Sequence, residues 1–440
     1  MRCIADGFRD SALGRRGMMF VMRPPNLRHN MLALGTDYGL FLVAMSFASP
    51  ATILPAFAAL LGAPNVVIGA IPAVMTLGWF LPPLFAAAHT ESLPRKLPFV
   101  LRYTIWERIP FAVLAAAAMW LAPAWPGLTL ALLLAMLVAI TGVGGALTPA
   151  WMDIVGRAVP VTVRGRFFAI TAVGAAAVGL AGSALTTEIL ARVPAPTSYA
   201  LCFLCATVCM FVSLAALAVV REPAAHTPPV AHPGLRAYLG RVPTLLRDDA
   251  NLRWFLIVRW FSITASMASA FYTVYALRAW DAPAATLGIF TALLLTGSMV
   301  GLLALGWIAD RAGYRVVVMT GIAATLAGNL VALLAPSLTA FGVVFVLAGL
   351  QEAAFRIAYP TVLLEFAPRP EAQPLYIGVG NTAITPIAFA APIAAGLLVD
   401  RAGFGAMFAT ATVAGVLAVA TLALRVREPR RLRAVVETGA

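Results

Sequence analysis

Twelve apolar stretches of roughly twenty residues each, the length that crosses a bilayer as a helix, dominate this 440-residue chain. They lie near 33–61, 66–88, 97–121, 128–150, 167–191 and 199–220, then, after a polar linker, near 255–277, 286–308, 316–335, 340–364, 375–399 and 404–424. No soluble core could hide them. Hydrophobic residues make up 61% of the chain and charged ones 11%, against about half and a quarter in an ordinary soluble domain. The expected class is an all-α polytopic membrane protein with twelve transmembrane helices.

The formal charge of +13 would suggest nucleic acid in a soluble protein, but the positions of the charges give a better reason. Of the 31 basic residues, 25 fall in the two ends, the linker and every second loop, including Arg95, Lys96, Arg157, Arg164, Arg311 and Arg315. Three (Arg192, Arg278 and Arg401) lie in the other loops, and Arg108, Arg259 and Arg356 lie inside spans. By the positive-inside rule both termini are expected in the cytoplasm, which requires an even number of crossings. The basic ends also suit anionic lipid headgroups, and no nucleic-acid partner is expected. The first 29 residues are Arg-rich and interrupted by Pro24 and Pro25, without the apolar core of a cleavable signal. Methionines at 18, 19, 22 and 31 leave the start of translation open. Arginine outnumbers lysine 30 to 1, which fits a GC-rich bacterial source and hence a bacterial inner membrane.

The chain reads as one unit written twice. Asp153 and Arg157 close span four with helical spacing, as Glu365 and Arg369 close span ten, both at an offset of 212, and Glu188 and Asp400 end spans five and eleven at the same offset. This gives a tail at 1–29, a six-helix bundle at 30–220, a linker at 221–250, a second bundle at 251–426 and a tail at 427–440. Prolines 223, 228, 229 and 233 oppose helix in the linker, and 235–246 forms a short amphipathic piece.

The loop after span eight reads Gly306-Trp-Ile-Ala-Asp310-Arg311-Ala-Gly313-Tyr-Arg315. It resembles, at every fixed position, the signature of the major facilitator superfamily, which recurs after helices two and eight. The first copy here is degraded, with Ala87, Glu91, Ser92 and Pro94 at four of those positions. The resemblance covers 30–427 and implies two pseudo-symmetric six-helix bundles, secondary active transport by alternating access, and a central cavity lined by helices one, four, seven and ten. It implies a cytoplasmic gate formed by Gly306, Asp310, Arg311, Gly313, Arg315 and Glu91, in which Asp310 caps a helix of the other half. The arginine that many members carry in helix four is absent from 128–150, and Gly174, Gly179 and Gly182 echo the antiporter pattern of helix five without its proline.

Six ionisable residues lie deep in spans: Asp37, Glu107, Arg108, Arg259, Glu352 and Arg356. Charges at that depth cost about 3 kcal/mol each and face a bundle interior or a wet cavity. Glu352, Arg356 and Tyr359 share one face of span ten, and Arg259, Ser262, Ser266, Ser269 and Thr273 share one face of span seven. These faces are the expected substrate cavity. Aligning spans one and seven at offset 222 sets Asp37 against Arg259, and the two are expected on opposing sides of that cavity. Proton coupling is expected, with Asp37 as the coupling acid and Glu352 second. A permanent Glu352–Arg356 pair that never titrates is the competing reading, and Glu107 and Arg108, being adjacent, are expected to find separate partners.

Cys202, Cys205 and Cys209 share a face of span six but are read as apolar filler rather than a metal site. Gly378-Val-Gly380-Asn-Thr-Ala383 imitates a dinucleotide fingerprint without its preceding strand and is read as a packing face. No cofactor is expected, and nothing points to an enzyme. The expectation is a monomeric secondary transporter of a small organic solute, anionic, polar or drug-like. A non-transporting scaffold or sensor and a lipid flippase are the alternatives.

Overall fold

The computed structural model describes residues 26–91, 93–223, 235–369 and 372–428, and all regular structure among them is helical. Span one is Leu27–Phe47 with a continuation Ile53–Leu60, and span two is Asn65–Phe80 followed by Pro82–Glu91. Spans three to six are Leu97–Leu121, Pro126–Ala158, Val161–Arg192 and Thr197–Ala218. After a helix Leu235–Asp248, spans seven to ten are Ala250–Ala279, Thr286–Ala312, Tyr314–Leu334 and Leu338–Phe366. Span eleven is Gln373–Thr382 and the start of Thr385–Arg425; Gly403, at φ 81° and ψ 171°, breaks that helix, and 404–425 is span twelve.

Among the described residues ten helices are individually long and apolar enough to cross a membrane. Two features reconcile this with twelve crossings. Span two divides before Pro82, leaving an apolar piece of 16 residues, and spans eleven and twelve run on across Gly403. Lipid rather than water suits the periphery, where Trp120 is 76% and Leu424 81% exposed. Of the expected segments, most of the first tail, the linker stretch 224–234 and the second tail from 429 lie outside the described residues.

Span seven changes to a 3₁₀ turn at Met267–Phe271. Ser266 donates to the carbonyl of Ser262 at 2.9 Å and Ser269 to that of Ser266 at 2.8 Å. Such back-bonding competes with the helical ladder and bends it.

The repeat is visible in matching ties at the ends of the halves. Asn30 in span one holds the backbone of Arg221, donating to its carbonyl at 2.9 Å and accepting from its N–H at 3.0 Å. Asn251 in span seven holds Arg427 in the same way, at 3.0 and 2.8 Å. Glu222 then accepts from the N–H groups of Lys96 and Leu97, capping span three, while Glu428 lies against Gly313 at the start of span nine. The signal was in the sequence: Val-Arg-Glu-Pro occurs at 220–223 and again at 426–429. These ties bring both ends of the described chain to one face, called here the tail face.

Within the halves, span one packs on five and six, span two on four, span eight on ten, and span nine on ten and twelve. The halves meet through span two against span eleven and span five against span eight. Polar links between them cluster at the opposite, far face. Thr52 and Thr291 share a hydrogen bond of 2.7 Å, and Thr273 donates to the carbonyl of Ala51 at 2.7 Å. Asp400 caps span two, accepting from Asn65 N at 3.2 Å, Val66 N at 3.1 Å and Asn65 Nδ2 at 2.7 Å; Arg278 donates to the same Asn65 at 3.0 Å.

Candidate functional site

A cavity of about 430 Å³ lies between the halves, walled by spans one, two, five, eight and ten. Glu352 and Arg356 are its charged lining residues and form an ion pair across one helical turn. Phe41, Met75 and Trp79 line it from the first half, and Thr291 and Ser298 from the second. Arg356 is partly accessible, at 41%, so the pair faces open space rather than packed protein.

A second cavity of about 250 Å³ lies inside the first half, among spans one, two, three, four and six. Its polar wall is one network. Asp37 Oδ1 accepts from Arg108 Nη2 at 3.1 Å and Ser213 Oγ at 2.6 Å, and Asp37 Oδ2 accepts from Trp151 Nε1 at 3.0 Å. Arg108 also donates to the carbonyl of Met210 and to Thr104, and approaches Glu107 Oε2 at 3.3 Å. Adjacent residues thus do share partners: Thr104, one turn away, donates to Glu107 Oε2 at 3.1 Å, and the guanidinium reaches both carboxylates. Phe41 and Trp79 line both cavities, edge to face with centroids 6.1 Å apart, and so form the partition between them.

Arg259 is buried within the second half. It donates to the carbonyl of Gly380 at 2.9 Å and lies over the Tyr359 ring at 4.5 Å, while the Tyr359 hydroxyl bonds Ser262 at 2.9 Å. Arg259, Ser262, Ser266, Ser269 and Tyr359 do not border either cavity described above. Asp37 and Arg259 do not oppose each other across the central space; each is closed inside its own half. Helical period identified the shared faces, but that of span seven meets neighbouring protein: its stripe turns to spans ten and eleven, to itself and, at Thr273, to the Ala51 carbonyl of the first half. The glycine run at 378–383 supplies the Gly380 acceptor, and a side chain there would collide with Leu363. Among the described residues no group of histidines, cysteines and carboxylates could hold a metal ion.

The signature loop lies on the tail face. Arg311 stacks on Trp307 at 3.7 Å, and Arg315 donates to the carbonyls of Leu422 and Ala423. Gly313 sits at φ 84°, and the Glu428 carboxylate fills the place a Cβ would take. Asp310 is exposed and carries no hydrogen bond or ion pair among the described residues; the side chain of Glu91 is not described. Asp-Arg-Ala-Gly of 310–313 recurs at 400–403, on the far face, and there the aspartate is engaged.

Residues 261–439 match the family model described as Major Facilitator Superfamily. The chain has the major facilitator fold. A mutant form of the nucleoside transporter NupG superposes with a TM-score of 0.69 at 11% identity, covering 89% of this chain and 98% of its own. A POT family transporter in complex with a thioalcohol-conjugated peptide gives 0.66 at 13%, covering 90% and 94%. The E. coli fucose:proton symporter FucP gives 0.57 at 17%, covering 90% and 98%. No curated protein sequence matches. These neighbours are named as transporters, and the likeness to them is one of fold.

Proposed function

We propose that this chain is a secondary active transporter that carries a small organic solute across a bacterial inner membrane, with both tails cytoplasmic and protons as the coupling ion. The observation that carries the reading is the 430 Å³ cavity between two halves whose polar links cluster at the far face. A site enclosed at one face by links between two bundles is what alternating access requires. The bundles 30–220 and 251–426 then rock as monomeric rigid bodies around the Glu352–Arg356 pair, and Asp310 engages the other half when the tail face closes.

Asp37 is assigned the coupling role. It is held by three donors, one of them a charged guanidinium, and borders a cavity that shares the Phe41 and Trp79 wall with the central one. Movement of either ring changes what solvates the carboxylate, and a neutral carboxyl would release Arg108. The test is transport in proteoliposomes. Asp37→Asn is expected to abolish uptake driven by a pH gradient while sparing counterflow, and unchanged gradient-driven uptake removes Asp37 from the mechanism. Failure of every candidate solute to give flux or counterflow with wild-type protein would instead favour a scaffold, and movement of labelled lipid a flippase.

A further inference from the structure

The substrate class is open in the reading above, and the charges that face the cavities narrow it. Two arginines in the second half first suggest an anion. Both are spent. Arg259 is closed in against Gly380 and Tyr359, and Arg356 is neutralised by Glu352 one turn away. The central cavity therefore presents a dipole without net charge.

The smaller cavity is different. Asp37, Glu107 and Arg108 line it together, two carboxylates against one guanidinium, for a formal charge of −1. Arg108 is fully committed, to Asp37, Ser213, Met210, Thr104 and Glu107 Oε2. Glu107 is 6% exposed; its Oε2 accepts from Thr104 and Arg108, while its Oε1 lies against Gly144 on the cavity wall and accepts no hydrogen bond among the described residues. A carboxylate oxygen that borders a largely apolar cavity is poorly solvated, and the remaining walls show which group would serve it. Tyr38, Phe41, Trp79 and Trp151 surround the space, and aromatic faces stabilise a desolvated ammonium. At about 250 Å³, just under the usual range of small-molecule sites, the cavity takes one ring or one alkylammonium group and leaves the rest of a larger molecule to the central space beyond Phe41 and Trp79.

We infer that the cavity inside the first half is a subsite for the positively charged group of an organic amine or quaternary ammonium, with Glu107 Oε1 as its counter-charge. This rests on the transport reading for its biological meaning but not for its test, because binding is read without flux. Purified protein in detergent is titrated with benzyltrimethylammonium, with its neutral carbon isostere neopentylbenzene, and with benzenesulfonate, following thermal shift and tryptophan fluorescence. The cation is expected to bind saturably, to be weakened about tenfold or more by Glu107→Gln, and to be blocked by Gly144→Ala, whose Cβ would fall 2.5 Å from Glu107 Oε1 and 2.9 Å from Trp79 and so displaces that carboxylate without altering charge. Two independent variants keep the test decisive if one of them folds poorly. Equal binding of the neutral isostere or the sulfonate, or retention of the cation by both variants, overturns the inference. So does displacement of benzyltrimethylammonium by sodium ion at equal concentration, which would mark an inorganic cation site. If cations fail while another solute still shows flux, the subsite falls and the transporter stands.

Discussion

Asp400→Ala should release the far face and turn the protein towards its other conformation. In the structure this carboxylate accepts three hydrogen bonds at the start of span two, two from backbone N–H groups and one from Asn65 Nδ2. Removing a capping acid costs about 0.5–2 kcal/mol, and hydrogen bonds to charged groups contribute about 1.5–3 kcal/mol. Asp400 is exposed, so water replaces part of the loss, and about 2 kcal/mol is a fair net figure. All of it falls on the state closed at the far face, because the donors belong to the other half. That changes the population ratio about 30-fold. Spin labels at Arg95 and Arg369, exposed tail-face positions in different halves, placed in a background without the four native cysteines, report it by electron–electron distance measurement. The variant should gain a shorter tail-face distance at the expense of the long one. Asp310→Ala should leave the distribution as it is, since that acid has no partner among the described residues. A distribution unchanged by Asp400→Ala in protein that still folds would refute the assignment of Asp400 as a latch.

Glycines at close approaches should divide by location. Gly69, Gly288 and Gly396 meet backbone of the opposite half, at Pro392, Ser183 and Asn65 respectively, so alanine at any of them should wedge the far face and reproduce the Asp400→Ala distance change. Gly297 and Gly349 meet Val346 and Leu294 within one half, and alanine there should lower thermal stability by about 1–3 kcal/mol without a new distance population. Arg108→Ala leaves two buried carboxylates without their cation and should cost about 3–5 kcal/mol; adding Asp37→Asn should recover part of the lost melting temperature. Asn30→Ala and Asn251→Ala should each lower stability by about 1–3 kcal/mol, additively in the double variant because the two ties share no partner.

Much of the fold was legible because lipid imposes a simple rule: a crossing needs about twenty apolar residues, and the runs near 97–121 and 286–308 coincide closely with the helices Leu97–Leu121 and Thr286–Ala312. Partners were less legible. Asp37 and Arg108 are 71 positions apart, and nothing in either helix says that it meets the other. The hydroxyl stripe of span seven was a true helical face, yet a face read from period alone can meet water, lipid or another helix. Ser262 meets Tyr359, and Ser266 its own backbone. Trp79 and Trp151 went unnoticed because aromatic residues in apolar spans carry no distinguishing pattern. The capping role of Asp400 could have been found by the Asp-Arg-Ala-Gly repeat, whose copies lie 90 positions apart, at a spacing unrelated to the repeat of the halves.

Comparison of what repeats with what does not separates frame from site. The Val-Arg-Glu-Pro segments and their asparagine ties recur because each half must fasten its last span to its first, a task set by geometry alone. The Asp-Arg-Ala-Gly turns recur on opposite faces; Asp400 caps span two of the other half, whereas Asp310 has no partner among the described residues, and the gating proposal assigns it the matching cap when the tail face closes. The deep charges do not recur. The first half holds two acids and one arginine around an open space, whereas the second holds one arginine sealed against Tyr359 and one self-paired couple. Symmetric halves would bind the same group equally well, so the proposed cation subsite belongs to the asymmetric part, where two carboxylates face one guanidinium.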